Sequence, residues 1–121
     1  MKQYNYELKK LVNKKGFYCD LSIEYELKSD VGVEISYKNP LDYNESYHSA
    51  IIFGLHYFYN KSLFKKNRQK LCIIINSISY NPVDTTDFVV FFTTVMLFCE
   101  LFDQNIEGLS ISEEGLFNIP K

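Results

Sequence analysis

The sequence predicts an α+β fold: a single mixed, largely antiparallel sheet packed by two or three helices, in the order α-β-β-α-β-α-β. Three observations carry this expectation. Residues 17–27 alternate apolar and polar side chains with period two, as a half-buried strand does. Residues 47–58 place Tyr47, Ala50, Ile51, Gly54, Leu55 and Phe58 on one helical stripe. Residues 88–99 carry no charge at all, which marks a segment to be covered on every side. At 121 residues the chain is expected to form one domain, 1–121, long enough to bury a core without disulfides.

The elements follow in order. Tyr4, Leu8, Leu11 and Val12 share one helical face, and Lys14, Lys15 and Gly16 suit the close of a helix, so residues 2–14 are read as helical. A strand through residues 4–8 competes with that reading. Phe17, Cys19, Leu21, Ile23, Tyr25 and Leu27 then alternate with Tyr18, Asp20, Ser22, Glu24, Glu26 and Lys28, giving a strand with an acidic outer face. After Ser29-Asp30, Val31, Val33, Ile35 and Tyr37 alternate with polar residues, which predicts a β-hairpin with the preceding strand. Asn39-Pro40 ends it, and residues 42–44 offer caps for a helix of about four turns ending near Leu63.

Residues 71–80 bear isoleucine on both parities (Ile73, Ile74, Ile75, Ile78), as an interior strand does. Pro82-Val83-Asp84-Thr85-Thr86-Asp87 reads as a helix entry, with Asp84 as the cap and Asp87 three residues on. The apolar helix that follows is too short to span a bilayer, which needs roughly 20 apolar residues. It is expected at the centre of the molecule, between the sheet and another helix or between two subunits. Residues 108–120 fit a terminal strand or short hairpin turning at Glu113-Glu114-Gly115.

The net charge of −2 conceals strong segregation. Residues 1–15 and 61–70 are basic, with five cations each; residues 20–48 and the stretch from Asp84 onward are acidic, with seven acids each. Such blocks make opposite-signed faces, or they pair and cancel once folded. A nucleic-acid binder carries a basic excess, which is absent, although the 61–70 block has aromatic neighbours (Tyr57, Phe58, Tyr59, Phe64) of the kind a single-stranded site uses. Cys19, Cys72 and Cys99 are odd in number and set among apolar residues, which reads as buried free thiols in a reducing compartment. The polar, basic N-terminal stretch lacks an apolar signal region, so a soluble cytoplasmic protein is expected.

Catalytic chemistry finds no constellation. His48 and His56, eight residues apart on one helix, are turned roughly 80° and separated by about 12 Å along the axis, too far to share a metal. The thiols sit where burial makes them inert. Neither the 84–87 segment nor Ser110-Ile-Ser-Glu-Glu-Gly115 has the spacing of a phosphate loop or an EF-hand. The expectation is a protein that binds another macromolecule, with no enzyme activity, cofactor or metal.

Residues Ser49-Ala-Ile-Ile-Phe-Gly-Leu-His-Tyr-Phe58, Leu71-Cys-Ile-Ile-Ile75, Asn81-Pro-Val-Asp-Thr-Thr86 and Glu114-Gly-Leu-Phe117 give the last two-thirds of the chain a format that resembles small bacterial immunity proteins of the contact-dependent growth-inhibition and polymorphic-toxin type. The resemblance implies a cytoplasmic protein that binds a cognate toxin domain, often a nuclease, and blocks its active site or its access to substrate. The toxin's basic surface would meet acidic residues here, for which Asp20, Glu24, Glu26, Glu34, Glu113 and Glu114 are the candidates. The alternative is a homo-oligomeric structural or regulatory subunit with the 88–99 helix in its interface. A small enzyme with a site of dispersed residues is a third class.

Overall fold

A computed structural model of the chain describes residues 2–12, 14–62, 64, 66–112 and 115–120. The fold is α+β. A four-stranded mixed sheet in the order β1-β2-β4-β3 is built from β1 (Lys2–Val12), β2 (Lys15–Ser29), β3 (Gly32–Tyr37) and β4 (Gln69–Tyr80). Two helices, α1 (Glu45–Lys61) and α2 (Asp87–Leu101), pack against one of its faces. A second, two-stranded sheet pairs β5 (Ser110–Ile111) with β6 (Phe117–Asn118). The expected terminal hairpin is therefore present, but it stands apart from the main sheet.

The first element corrects the helix expected over residues 2–14: it is a strand. Tyr4, Tyr6 and Leu8 also repeat with period two, and β2 offers a partner along the whole length, from Lys2 opposite Tyr25 to Val12 opposite Lys15. Those three side chains turn toward the core, and α2 packs over β1 and β2. Pairing and burial outweigh the modest helical stripe, as tertiary context commonly does. The left-handed residue near the end of this segment is Lys14, at φ 68°, beside the β1–β2 turn, and not Gly16.

A second correction concerns β2 and β3. They are antiparallel and joined by a short connection, yet β4 lies between them, antiparallel to β2 and parallel to β3. Three extended residues reach about 10 Å, and two strand spacings are about 9.6 Å, so even this short link can step over a strand. Gly32 takes the turn into β3 at φ 119°, a backbone region that L side chains rarely adopt. The hydroxyl of buried Tyr59, on α1, accepts from Gly32 N (3.0 Å) and donates to Gln69 O (2.8 Å), fastening the starts of β3 and β4 together. The interior position expected for β4 holds: Ile73 and Ile75 face inward between β2 and β3, and Ile74 faces the other way. A bulge at Asn76 lets the register with β2 pass from Ser22–Ser77 to Ile23–Ile75.

The helix α1 begins at Asn44, whose side chain accepts from Tyr47 N. The cap of α2 is Thr86, whose hydroxyl accepts from Val89 N; Asp84 instead belongs to a turn that hydrogen-bonds back to Asn81. Thr85 is tied to the sheet by its hydroxyl, which donates to Tyr18 O at 2.5 Å. The sheet and α1 cover α2 as its composition demands, with Val89, Val90, Val95, Leu97 and Phe98 in the core. Its two fully buried threonines return their hydroxyls to the helix, Thr93 to Val89 O and Thr94 to Val90 O, so neither hydroxyl is stranded. The helices approach closely at Gly54, where an added Cβ would lie 3.1 Å from Phe91 O.

Candidate partner-binding face

The helices cover only one face of the main sheet. Alternation along the strands directs Tyr4, Tyr6, Leu8, Cys19, Leu21, Ile23, Ile73 and Ile75 toward them, and it directs the intervening side chains outward. Asp20, Glu24, Glu26 and Glu34 all lie on this outer face. The register places Glu26 and Glu34 on either side of Cys72, Glu24 beside Ile74, and Asp20 beside Ser79. Four of the six carboxylates expected to bind a partner thus share one surface. Glu113 and Glu114 lie outside the described residues.

The acids on this face differ in their surroundings. Glu26 Oε1 lies 3.4 Å from Lys28 Nζ, and Glu34 Oε2 lies 3.9 Å from Lys70 Nζ. Part of the acidic block is therefore cancelled by lysines of the same face, one of them from the basic 61–70 block. Among the described residues Glu24 accepts only a weak hydrogen bond from Gln3 Nε2, at 3.3 Å. Asp20 has no ion pair among the described residues, and the residue opposite it on β1 is another acid, Glu7. Like charges directly opposite across a strand pair repel. Glu7 is absent from the acids expected from the sequence because the first segment reads as helix; the alternation of Gln3, Asn5, Glu7 and Lys9 with Tyr4, Tyr6 and Leu8 is the signal that finds it.

Cys72 sits in the middle of this face but is shielded by its neighbours. Burial and a hydrogen bond to Glu34 both push its thiol pKa up. Burial likewise raises Cys99, and it pushes Cys19 up to about 11. All three thiols are free, and in each the shift favours the protonated form.

His48 Nδ1 is hydrogen-bonded to the Tyr37 hydroxyl at 2.9 Å, under the ring of Tyr43, which joins the start of α1 to the end of β3. Burial pushes the Tyr37 hydroxyl up to about 12, so it keeps its proton at neutral pH. Among the described residues no group of three His, Cys, Asp or Glu side chains is arranged to hold a metal ion. Of the four rings beside the basic stretch 61–70, Phe58, Tyr59 and Phe64 are buried in the core, while Tyr57 is half-buried with Lys61 Nζ 5.5 Å from its ring centroid. No helix among the described residues is long and apolar enough to cross a membrane. The helix α2, expected in the core or a subunit interface, is covered within one chain over residues 89–99, with Met96 half-buried, while Phe88 in its first turn is 63% exposed.

Neither a protein-family model nor a curated protein matches the chain. Among solved structures, the fold is similar to part of a protein from Thermus thermophilus (ttk003000868), with a TM-score of 0.62 and 20% sequence identity. The likeness covers 81% of this chain, which spans about 15% of the length of the other. At that identity the similarity concerns the fold alone.

Proposed function

We propose that this protein binds and neutralises a cognate toxin domain, a nuclease by preference, by laying the open face of its sheet against the basic surface with which such a domain holds phosphate. One observation carries the reading: Asp20, Glu24, Glu26 and Glu34 stand together on a sheet face that neither helix covers. Binding of this kind needs no chemistry from the chain. Complementary charge would speed encounter and exclude wrong partners, and contacts at the centre of the face would hold the complex.

Within the face, the carboxylates differ in what they can offer. Asp20 and Glu24 are free to receive a partner's Arg or Lys, while Glu26 and Glu34 must first exchange Lys28 and Lys70 for it. On this reading a large secreted protein is encoded beside this chain, and the test uses that protein's C-terminal domain. Co-expression should restore growth of cells making that domain, and the purified pair should associate. Changing Asp20→Lys together with Glu24→Lys should raise the dissociation rate at least about tenfold, the effect of losing roughly 1.4 kcal/mol or more of contact. Unchanged binding would eliminate this face as the interface.

A second reading, a homo-oligomeric subunit, keeps one observation in its favour. Phe53 and Phe88 are 65% and 63% exposed and rim an apolar groove between the starts of α1 and α2. Sedimentation at low concentration separates the two readings, because a strict monomer leaves that groove as bare surface.

A further inference from the structure

We propose that the free edge of β4 over residues 77–80 accepts an extended, basic segment of a partner as an added strand. The edge exists because β3 is shorter than β4. Their pairing stops at Tyr37 opposite Ile75, where Lys38 N donates a last bond to Ile75 O at 2.9 Å. The chain then turns away at Asn39-Pro40, and proline has no N–H to continue a ladder. β4 runs on to Tyr80 with β2 as its strand partner on one side. In an antiparallel pair, alternate residues direct their N–H and C=O groups away from the partner. Along 77–80 those groups make no main-chain hydrogen bond on the open side among the described residues, and Ser77, Ser79 and Tyr80 are exposed.

The sheet's other edge, β1, is the poorer docking strand. It carries Lys2, Lys9 and Lys10, and lysines on an edge are a common guard against strand addition. Residues 77–80 carry no charge. Addition of a strand supplies main-chain bonds for affinity, and the side chains that flank the edge supply specificity. On the inner side an incoming strand meets Ile78 and the Tyr47–Tyr80 pair, whose rings touch edge to face at 5.1 Å. On the outer side it meets Ser77 and Ser79, small residues beyond which Asp20 and then Glu7 stand in one row across the sheet.

Charge selects the occupant. Asp20 lies two strand spacings, about 9.6 Å, from the added strand, within reach of a Lys or Arg that crosses Ser79. Asp20 and Glu7 oppose one another without an ion pair among the described residues, so an arriving cation relieves a repulsion already present. Lys38 stands at the closed end of the edge, which places the segment's cations toward Tyr80. The segment that fits alternates basic residues outward with apolar or aromatic residues inward. That it belongs to the toxin domain rests on the preceding reading; the edge itself does not.

Amide hydrogen exchange on the full chain tests this, using a synthetic peptide that alternates lysine and valine. The peptide should slow exchange of the open-side amides within 77–80 by roughly tenfold or more, as newly hydrogen-bonded amides do. A peptide of equal charge with proline at alternate positions, unable to pair as a strand, should leave them unchanged. Ser79→Lys, at an exposed site, should abolish the protection without changing the unfolding midpoint. Protection along β1 instead, protection by the proline peptide, or none at millimolar peptide overturns the proposal. If the cognate toxin domain binds while residues 77–80 exchange as in the free chain, the assignment of this edge to the toxin falls and neutralisation stands. If the peptide protects the edge but no neighbouring toxin domain binds, the edge stands and neutralisation falls.

Discussion

The two faces of the one sheet are made by the same strands, residue by alternate residue, and they do opposite work. The inner face is aliphatic and aromatic, lies under two helices, and holds the fold. The outer face is half exposed, is crossed by carboxylates and lysines, and has no layer over it among the described residues. Stability is therefore expected to respond to substitutions on the first and binding to substitutions on the second. A sheet covered on one side only can vary its outer residues at little cost to folding, because exposed ion pairs contribute little. That separation suits the binding role proposed above.

The contrast can be broken at graded depths. The largest effect is expected at Phe98 in α2, which is 1% exposed and packs against Phe58 and Phe102. Phe98→Ala should cost about 3–5 kcal/mol in urea unfolding, the range for truncating a buried ring. Gly54→Ala comes next, since its Cβ would press on Phe91 O and Thr94 Cβ at 3.1 Å and force α1 from α2. A loss of about 1–3 kcal/mol, the usual range for overpacking, is expected there, and a neutral result would mean that the helices shift apart freely. The smallest effect belongs to the outer face. Glu26→Gln, which removes the charge paired with Lys28, should leave the urea midpoint unchanged within error. A clear drop there would show that the outer face also holds the fold, and it would remove the division of labour between the faces.

Much of this arrangement was legible in particular residues. The strict alternation over residues 17–28 set both the strand β2 and the sidedness of Asp20, Glu24 and Glu26. The stripe over residues 47–58 and the cap at Asn44 gave α1 nearly to its ends. The uncharged run from Phe88 required burial on all sides, and α2 has it beyond its first turn. Where the reading failed, two patterns were compatible with the same letters. Tyr4 and Leu8 fit a helix, while Tyr4, Tyr6 and Leu8 fit a strand, and the presence of β2 as a partner decided between them. Likewise Asp84 and Thr86 are both good helix caps, and the turn held by Asn81 selected the second.

Spacing along the chain is enough to settle the class of the fold, the periodicity of its longer elements and the outward direction of the acids on β2 and β3. Which strands are neighbours is settled only when the chain packs. The insertion of β4 between β2 and β3 brings Glu26 and Glu34 to either side of Cys72 and gives Glu34 its lysine. The pairing of β1 with β2 sets Glu7 opposite Asp20, and the early end of β3 leaves residues 77–80 open on one side. Strand order depends on contacts between residues far apart in the chain, and local periodicity carries no record of it.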